Sequence, residues 1–493
     1  MAHLRDLELL IESKYPVIAV ETAEEDRLYD MLRRLTIRMN IPLYMWTPVD
    51  GLSRPPLKDG SPESREPLPA LAQVAASRGD GLYLFKDLHK YLGDAAVLRR
   101  LRDLAPSLAR DRRALILTAP HLELPAEIKA IAAPFALDLP TVDELKLLVQ
   151  NTARDMVAKR KIKVEMTPED LQRLAESLRG LTLFEAERAL TRAIMEDMAL
   201  TRADLERIIA VKKEVIEREG LLDFWPRLDD FGTVGGLKNL KAWLERRRRA
   251  FTPEARQFGL DPPKGVLLLG VQGCGKSLCA KAVAKEWELP LLKMEPGRLY
   301  DKFIGESEKN LERALHVADS LAPVVLWIDE IEKGFAAVTQ SESDAGLSKR
   351  IFGRLLAWLQ DRPAPVFVAA TCNDILSLPP ELMRKGRFDE IFFVDLPNPE
   401  ERAQIFAIHL KKRKRDPAPF DLRRLVEASG GFSGAEIEQA IVGALYAAFA
   451  VASELTTDHI LGELKATRPL SVVRAEEVAS LREWAAARTV PAS

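Results

Sequence analysis

The chain has 493 residues, with 72 Lys plus Arg against 74 Asp plus Glu, a formal net charge of −2 and an apolar fraction of 47%. That length fits about three folding units. The composition excludes a disordered or collagen-like chain and argues against a polycation made to coat nucleic acid.

The opening MAHLRDLELL carries Arg5, Asp6 and Glu8 within its apolar residues, so it reads as neither a signal peptide nor an anchor. A first strand is expected at 17–20 (VIAV), followed by Glu21-Thr-Ala-Glu24-Glu25-Asp26, which has neither glycine nor lysine. Residues 56–68 (PLKDGSPESREPL) are rich in turn formers and read as an exposed loop within the same domain. Further short apolar runs, 82–85 and 114–117, alternate with helical periodicity, the pattern of helices layered on a parallel sheet. The segment 203–219 spaces Leu205, Ile208, Ile209 and Val215 as one helix face, with Gly220 as its stop. It is expected to be a helical linker.

The densest chemistry follows. Gly270-Val-Gln-Gly273-Cys274-Gly275-Lys276-Ser277 stands directly after the apolar run 266–269 (VLLL) and before a helical stretch at 278–287 that opens with Leu278. Glycines let such a loop curl until backbone N–H groups and the helix N-terminus point at a polyphosphate; the lysine reaches the β and γ phosphates, and the serine holds Mg²⁺. A second strand, 324–328 (VVLWI), is continuously apolar and ends in Asp329-Glu330. Ligands bind at that end of a doubly wound sheet, so Asp329 is a candidate for the Mg²⁺ shell and Glu330 for polarising a water. A third strand, 366–370 (VFVAA), ends in Thr371-Cys372-Asn373, and Asn373 is a candidate for orienting that water. Arg384 and Arg387 flank Gly386 and can act on a neighbour's γ-phosphate or form an ordinary surface pair.

Two basic runs, 246–249 and 411–415, lack interleaved aromatics and read better as solvated helix ends than as nucleic-acid grips. Residues 440–452 are apolar but too short to cross a membrane, so no insertion is expected. The three cysteines, Cys274, Cys279 and Cys372, are too few for a disulfide framework and form no CxxC pair, which fits a reducing cytoplasm.

These motifs resemble the classical AAA ATPases over about residues 228–470. The resemblance also takes in FGTVGGL at 231–237, Ile408-His409-Leu410 and GFSGAEI at 431–437. It implies an α/β P-loop NTPase with a parallel sheet (228–399), a helical lid (400–470) and a helical tail (471–493). It further implies that Val234, Gly235, His409, Gly434 and Ala435 surround adenine and ribose, beside the loop residues Gly270, Gly273, Cys274, Gly275, Lys276, Ser277 and Leu278. Arg384 and Arg387 would then be fingers on the adjacent subunit's ATP in a homo-oligomeric ring, usually a hexamer. Lys302-Phe303-Ile304-Gly305 looks like the first pore loop, whose aromatic and aliphatic side chains grip a protein client.

The order of features repeats in the first half. Residues 82–88 stand where the acid-tipped strand would be, 114–121 match 366–373, 137–140 (LDLP) match 394–397 (VDLP), and 180–187 match 431–438. Residues 1–202 are therefore expected to be a degenerate AAA-like α/β domain whose four carboxylates, Glu21, Glu24, Glu25 and Asp26, repel ATP. The linker is expected at 203–227. Such an arrangement resembles an AAA family known from cyanobacterial and plastid genomes under an open-reading-frame label. Expected cofactors are ATP and Mg²⁺. The alternatives are a nucleic-acid motor or clamp-loader-like switch, and an ATP-gated scaffold.

Overall fold

The computed structural model describes residues 2–56, 60–218, 220–225, 235–299, 306–334, 342–362, 364–384 and 386–493. The chain divides into two compact units, Met1–Asp204 and Leu205–Ser493.

The first unit carries β1 (Val17–Glu21), β2 (Leu43–Thr47), β3 (Gly51–Ser53), β4 (Gly81–Lys86), β5 (Arg113–Ala119) and β6 (Ala132–Pro134), in the order β3-β2-β4-β5-β1-β6. Every neighbouring pair is parallel except the β2–β3 hairpin. A small parallel pair, β7 (Lys163–Val164) and β8 (Ala199–Leu200), stands apart from that sheet. The second unit carries β9 (Leu222–Trp225), β10 (Gly265–Gly270), β11 (Leu291–Met294), β12 (Val324–Ile328), β13 (Val366–Cys372), β14 (Glu390–Val394) and β15 (Val490–Pro491). Its order is β15-β14-β10-β13-β12-β11-β9, with only β9 antiparallel to its neighbour.

Without β3, β9 and β15, both sheets have one topology. Numbered within each unit, β2-β4-β5-β1-β6 and β11-β12-β13-β10-β14 both read 2-3-4-1-5. Parallel strands covered on both faces must be apolar throughout, and β10 shows how. Its Val266 and Leu268 enter one core with Val283, Trp287 and Phe367, while Leu267 and Leu269 enter the opposite core with Leu326 and Val368.

Each sheet is followed by helices whose starts are capped alike. In the first unit Thr141 with Glu144 and Thr182 with Glu185 form capping boxes on the helices Val142–Arg160 and Leu183–Asp197. In the second, Asn398 with Glu401 and Ser433 with Glu436 do so on Pro399–Lys412 and Gly434–Ala450. Each box satisfies two otherwise orphaned N–H groups and is worth about 1 kcal/mol per cap. Among the described residues no helix is long and apolar enough to cross a membrane.

Three features differ from the sequence reading. The segment read as a linker contains the helix Asp204–Glu217 and then β9, which extends the second sheet at the β11 edge. The tail adds β15 at the other edge, beside β14. The segment read as an exposed loop includes a fully buried Ser64. Its hydroxyl accepts the Leu52 N–H (2.9 Å) and its carbonyl accepts the Trp46 indole N–H (2.7 Å), closing the β3 edge.

Candidate active site

The β10 strand ends where its backbone lies against β14. A Cβ on Gly270 would run into the Val394 carbonyl, so only glycine fits there. Gly273 (φ +80) and Gly275 (φ +90) then hold the left-handed region that turns the chain into the helix Lys276–Glu286. The first-turn N–H groups of that helix have no intrahelical acceptors and make an anion cradle. Lys276 is buried, its ammonium donating to the carbonyls of Gly270 (2.7 Å) and Val271 (2.9 Å), and burial lowers its pKa. Burial likewise pushes the half-buried Cys274 thiol up to about 12, while Leu278 is exposed.

The acids arrive from the strands next door. Ser277 Oγ lies 3.5 Å from Asp329 Oδ1, which also accepts the Thr371 hydroxyl at 2.8 Å, and Lys293 Nζ lies 3.4 Å from Asp329 Oδ2. Glu330 sits in the left-handed region (φ +49), with its N–H donating to Thr371 Oγ1 (3.0 Å). Its carboxylate accepts Asn373 Nδ2 at 3.1 Å and pairs with Lys333 at 2.5 Å. Thr371, which the sequence reading assigned no role, thus bridges the two acids with one hydroxyl. The buried Glu332 accepts the Asn373 N–H (3.0 Å), and burial raises its pKa.

The lid closes a third side. Ala435 N–H donates to the Gly273 carbonyl (3.1 Å), and a Cβ on Gly273 would come within 2.9 Å of Ser433 Oγ. Gly434 and Gly235 each lie against Ile405, and Gly434 also faces the Gly273 carbonyl, so Ile405 and Gly434 stand between Gly235 and the phosphate loop. His409 is half-buried with Nδ1 3.4 Å from Glu438 Oε1, and burial lowers its pKa. Arg384 is exposed, whereas the Arg387 guanidinium donates to the Glu381 carbonyl. Val234 and the loop residues Phe303, Ile304 and Gly305 lie outside the described residues.

Family models match this chain in three places. Residues 3–137 fit the N-terminal domain of SpoVK-like AAA ATPases, residues 143–219 fit the second domain of the same group, and residues 266–396 fit the ATPase family associated with various cellular activities, AAA. An uncharacterized AAA domain-containing protein, ycf46, of Trieres chinensis is 37% identical over 484 residues, covering 97% of this chain and 96% of the relative. The chain belongs to the AAA ATPase family. The ycf46 protein of Pyropia yezoensis is 38% identical over 489 residues, 98% of each chain. The proteasome-activating nucleotidase of Aeropyrum pernix is 38% identical over 209 residues, 41% of this chain and 50% of the relative.

The geometry of this AAA unit fits a magnesium nucleotide. Mg²⁺ usually takes one or two protein oxygens and completes its shell with water and phosphate. Ser277 Oγ and Asp329 Oδ1 are hard oxygen donors side by side at the carboxyl end of the sheet, next to the glycine cradle.

At the corresponding place in the first unit the loop carries a carboxylate engaged by other parts of that unit. Glu24 precedes the helix Glu25–Met39, as Gly275 precedes Lys276–Glu286. Its carboxylate accepts the Leu183 N–H at 2.6 Å and pairs with Arg27 at 3.0 Å; Arg27 also reaches Glu144 (3.3 Å) and the Asp138 carbonyl (2.5 Å). The Glu24 carboxylate thus places negative charge at the N-terminus of the helix Leu183–Asp197, while making no side-chain bond to the first turn of Glu25–Met39. Glu21 is engaged by His121 (3.3 Å) and the Leu122 N–H (3.2 Å), and Glu25 by Lys86 (2.9 Å). The sequence reading rested on repulsion among free carboxylates. Glu21, Glu24 and Glu25 are each partnered here, so such repulsion is a weaker obstacle to a phosphate than the sequence suggests.

Proposed function

We propose that the second unit binds ATP with Mg²⁺ and hydrolyses it, and that a homo-oligomeric ring, a hexamer by family resemblance, uses the cycle to remodel or thread a protein client. The carrying observation is the meeting of Lys276, Ser277, Asp329, Glu330 and Asn373 at the carboxyl ends of the three adjacent strands β10, β13 and β12.

Lys276 and the first-turn N–H groups bind the phosphates, with Cys274 and Leu278 flanking them and Gly235, His409, Gly434 and Ala435 facing the nucleoside. Ser277 and Asp329 hold Mg²⁺, which when bound neutralises charge on the phosphate oxygens. Glu330 takes the proton of the attacking water, a step typically worth 10² to 10⁴ in rate. Asn373 fixes one oxygen of that carboxylate, and Thr371 keeps the two acids in register. Arg384 and Arg387 reach the neighbour's terminal phosphate, where a guanidinium is worth roughly 10³ to 10⁵ in rate. Phe303 and Ile304 grip the client, as the resemblance implies.

The similarity to a nucleotidase named for activating a proteasome supports a protein client. So does the pairing within the basic runs. Lys412 and Arg413 share Glu438 (3.4 and 3.1 Å), Arg415 pairs with Glu454 (2.8 Å) and Arg248 lies 3.7 Å from Glu286. Those partners disfavour a nucleic-acid grip. The three cysteines are free thiols, which supports a reducing, cytoplasmic setting. The test is to trap the Glu330→Gln variant with ATP and recover what it holds. A retained polypeptide is expected; an empty ring, or retained nucleic acid, counts against the remodelling role.

A further inference from the structure

Residues 490–493 tie together three parts of the second unit that meet around the Gly235–Leu237 stretch. β15 pairs with β14, and the Ala492 N–H donates to the Phe393 carbonyl at 2.9 Å. The buried Ala492 turns its own carbonyl to the start of the helix Lys238–Arg247, where it accepts the N–H groups of Asn239 and Leu240, both at 3.1 Å. The Asn239 side chain returns the contact, donating to the main-chain oxygens of Pro491 (3.1 Å) and Ser493 (2.9 Å). Ser493 Oγ then donates to Glu401 Oε1 at 2.6 Å.

Glu401 is the hub. It is 7% exposed, and the same Oε1 accepts the Leu237 N–H at 3.3 Å while Oε2 accepts the Asn398 N–H at 2.9 Å. Three residues on, Gln404 Oε1 accepts the Gly236 N–H at 2.9 Å. Gly236 (φ +72) admits no side chain, because a Cβ would run into the Glu401 carboxylate. The Gly235–Leu237 stretch is thus held to the lid helix Pro399–Lys412 by two side chains, and one of those is held in turn by Ser493. Leu237, bonded to Glu401, immediately precedes the helix whose first N–H groups Ala492 caps.

We infer that residues 490–493 form a strap that positions the Gly235–Leu237 wall of the nucleotide site, with Asn239, Glu401 and Ser493 as positioning residues for the nucleoside rather than for the phosphates. The inference rests on the proposed nucleotide site. It separates two halves of that site by mechanism. The phosphate cradle is made by β10 and the helix Lys276–Glu286 and makes none of the strap's bonds. With the strap removed, the Asn239 and Leu240 N–H groups next to the Gly235 wall lose their acceptor and Glu401, which holds Leu237, loses its Ser493 donor, and polar groups left unpaired cost free energy at that wall.

Binding of two probes by the full chain tests this: ATP, and inorganic tripolyphosphate, each with Mg²⁺. Asn239→Ala, Ser493→Ala and deletion of residues 490–493 are each expected to weaken ATP binding, by about tenfold for the deletion, with tripolyphosphate binding within twofold of the parent. Ser493→Thr, which keeps the hydroxyl, is expected to bind ATP like the parent. An equal loss for both probes, or no loss for ATP in any variant, overturns the strap. If the deletion does not fold, the two point substitutions decide by the same ratio. A parent chain that binds neither probe contradicts the nucleotide site itself, whereas a parent that binds both with variants that keep the parent's ratio contradicts only the strap.

Discussion

Asn373 Nδ2 donates to Glu330 Oε1 at 3.1 Å, joining the tips of two adjacent strands at the point where the acids converge. The amide therefore sets the direction of the carboxylate. Lys333 on the other oxygen, at 2.5 Å, leaves Glu330 held from two sides by side chains of its own subunit.

Removing Lys276 deletes the ammonium that bonds the Gly270 and Val271 carbonyls at the end of β10. Lys276→Ala is expected to abolish bound ATP in the full chain, and the parent is expected to hold one ATP per chain by equilibrium dialysis. Two per chain, or one remaining in the variant, would place a nucleotide in the first unit.

Arg384 is exposed, and the Arg387 guanidinium donates to the Glu381 carbonyl. If they act across an interface, mixing Arg384→Ala chains with Lys276→Ala chains should restore phosphate release that neither has alone. No recovery at any mixing ratio speaks against action in trans.

Glu24 and Arg27, with side chains 8% and 10% exposed, make a nearly buried pair that also fastens the helix Leu183–Asp197. Glu24→Ala leaves the guanidinium and the Leu183 N–H without that partner. A loss on the order of 3 kcal/mol is expected, read as a lower unfolding midpoint. An unchanged midpoint would show that Glu24 does not fasten that helix.

Burial raises the Glu332 carboxyl pKa above its ordinary value, so the folded chain binds a proton there more readily than the unfolded chain. Stability at this group is present below the unfolded pKa and is lost as pH rises through the folded one. Glu332→Gln should therefore raise the melting temperature at pH 8, and the gap should close near pH 4. A variant that melts lower at pH 8 would show that the charge is compensated in place.

The phosphate loop was legible because its glycines, lysine and serine are adjacent in the chain and follow a strand buried on both faces. Asp329, Glu330 and Asn373 were legible for a related reason, since each ends a run too apolar to face water. The repeat was legible as an order of motifs, and the shared 2-3-4-1-5 strand order gives it a structural form. The expectation that Gly235, His409 and Gly434 face the nucleoside comes only from resemblance, because they are far apart in the chain and none has a local pattern; the structure brings Gly235 and Gly434 to the same side chain, Ile405. Thr371 was missed because its role is to bridge two acids on another strand. Glu24 was read as one of four repelling charges, although its partners Arg27 and Leu183 come from a helix face and from 159 residues away. β9 and β15 were missed because four and two residues carry no periodicity, and pairing with β11 and β14 makes them strands.

The central claim is that Glu330 activates water against an ATP held in the second unit. Phosphate release from MgATP by purified Glu330→Gln, measured beside its ATP occupancy, tests this most directly. The account predicts one ATP retained per chain and release at least about 10²-fold below the parent. Release at the parental rate from a fully occupied variant would contradict it.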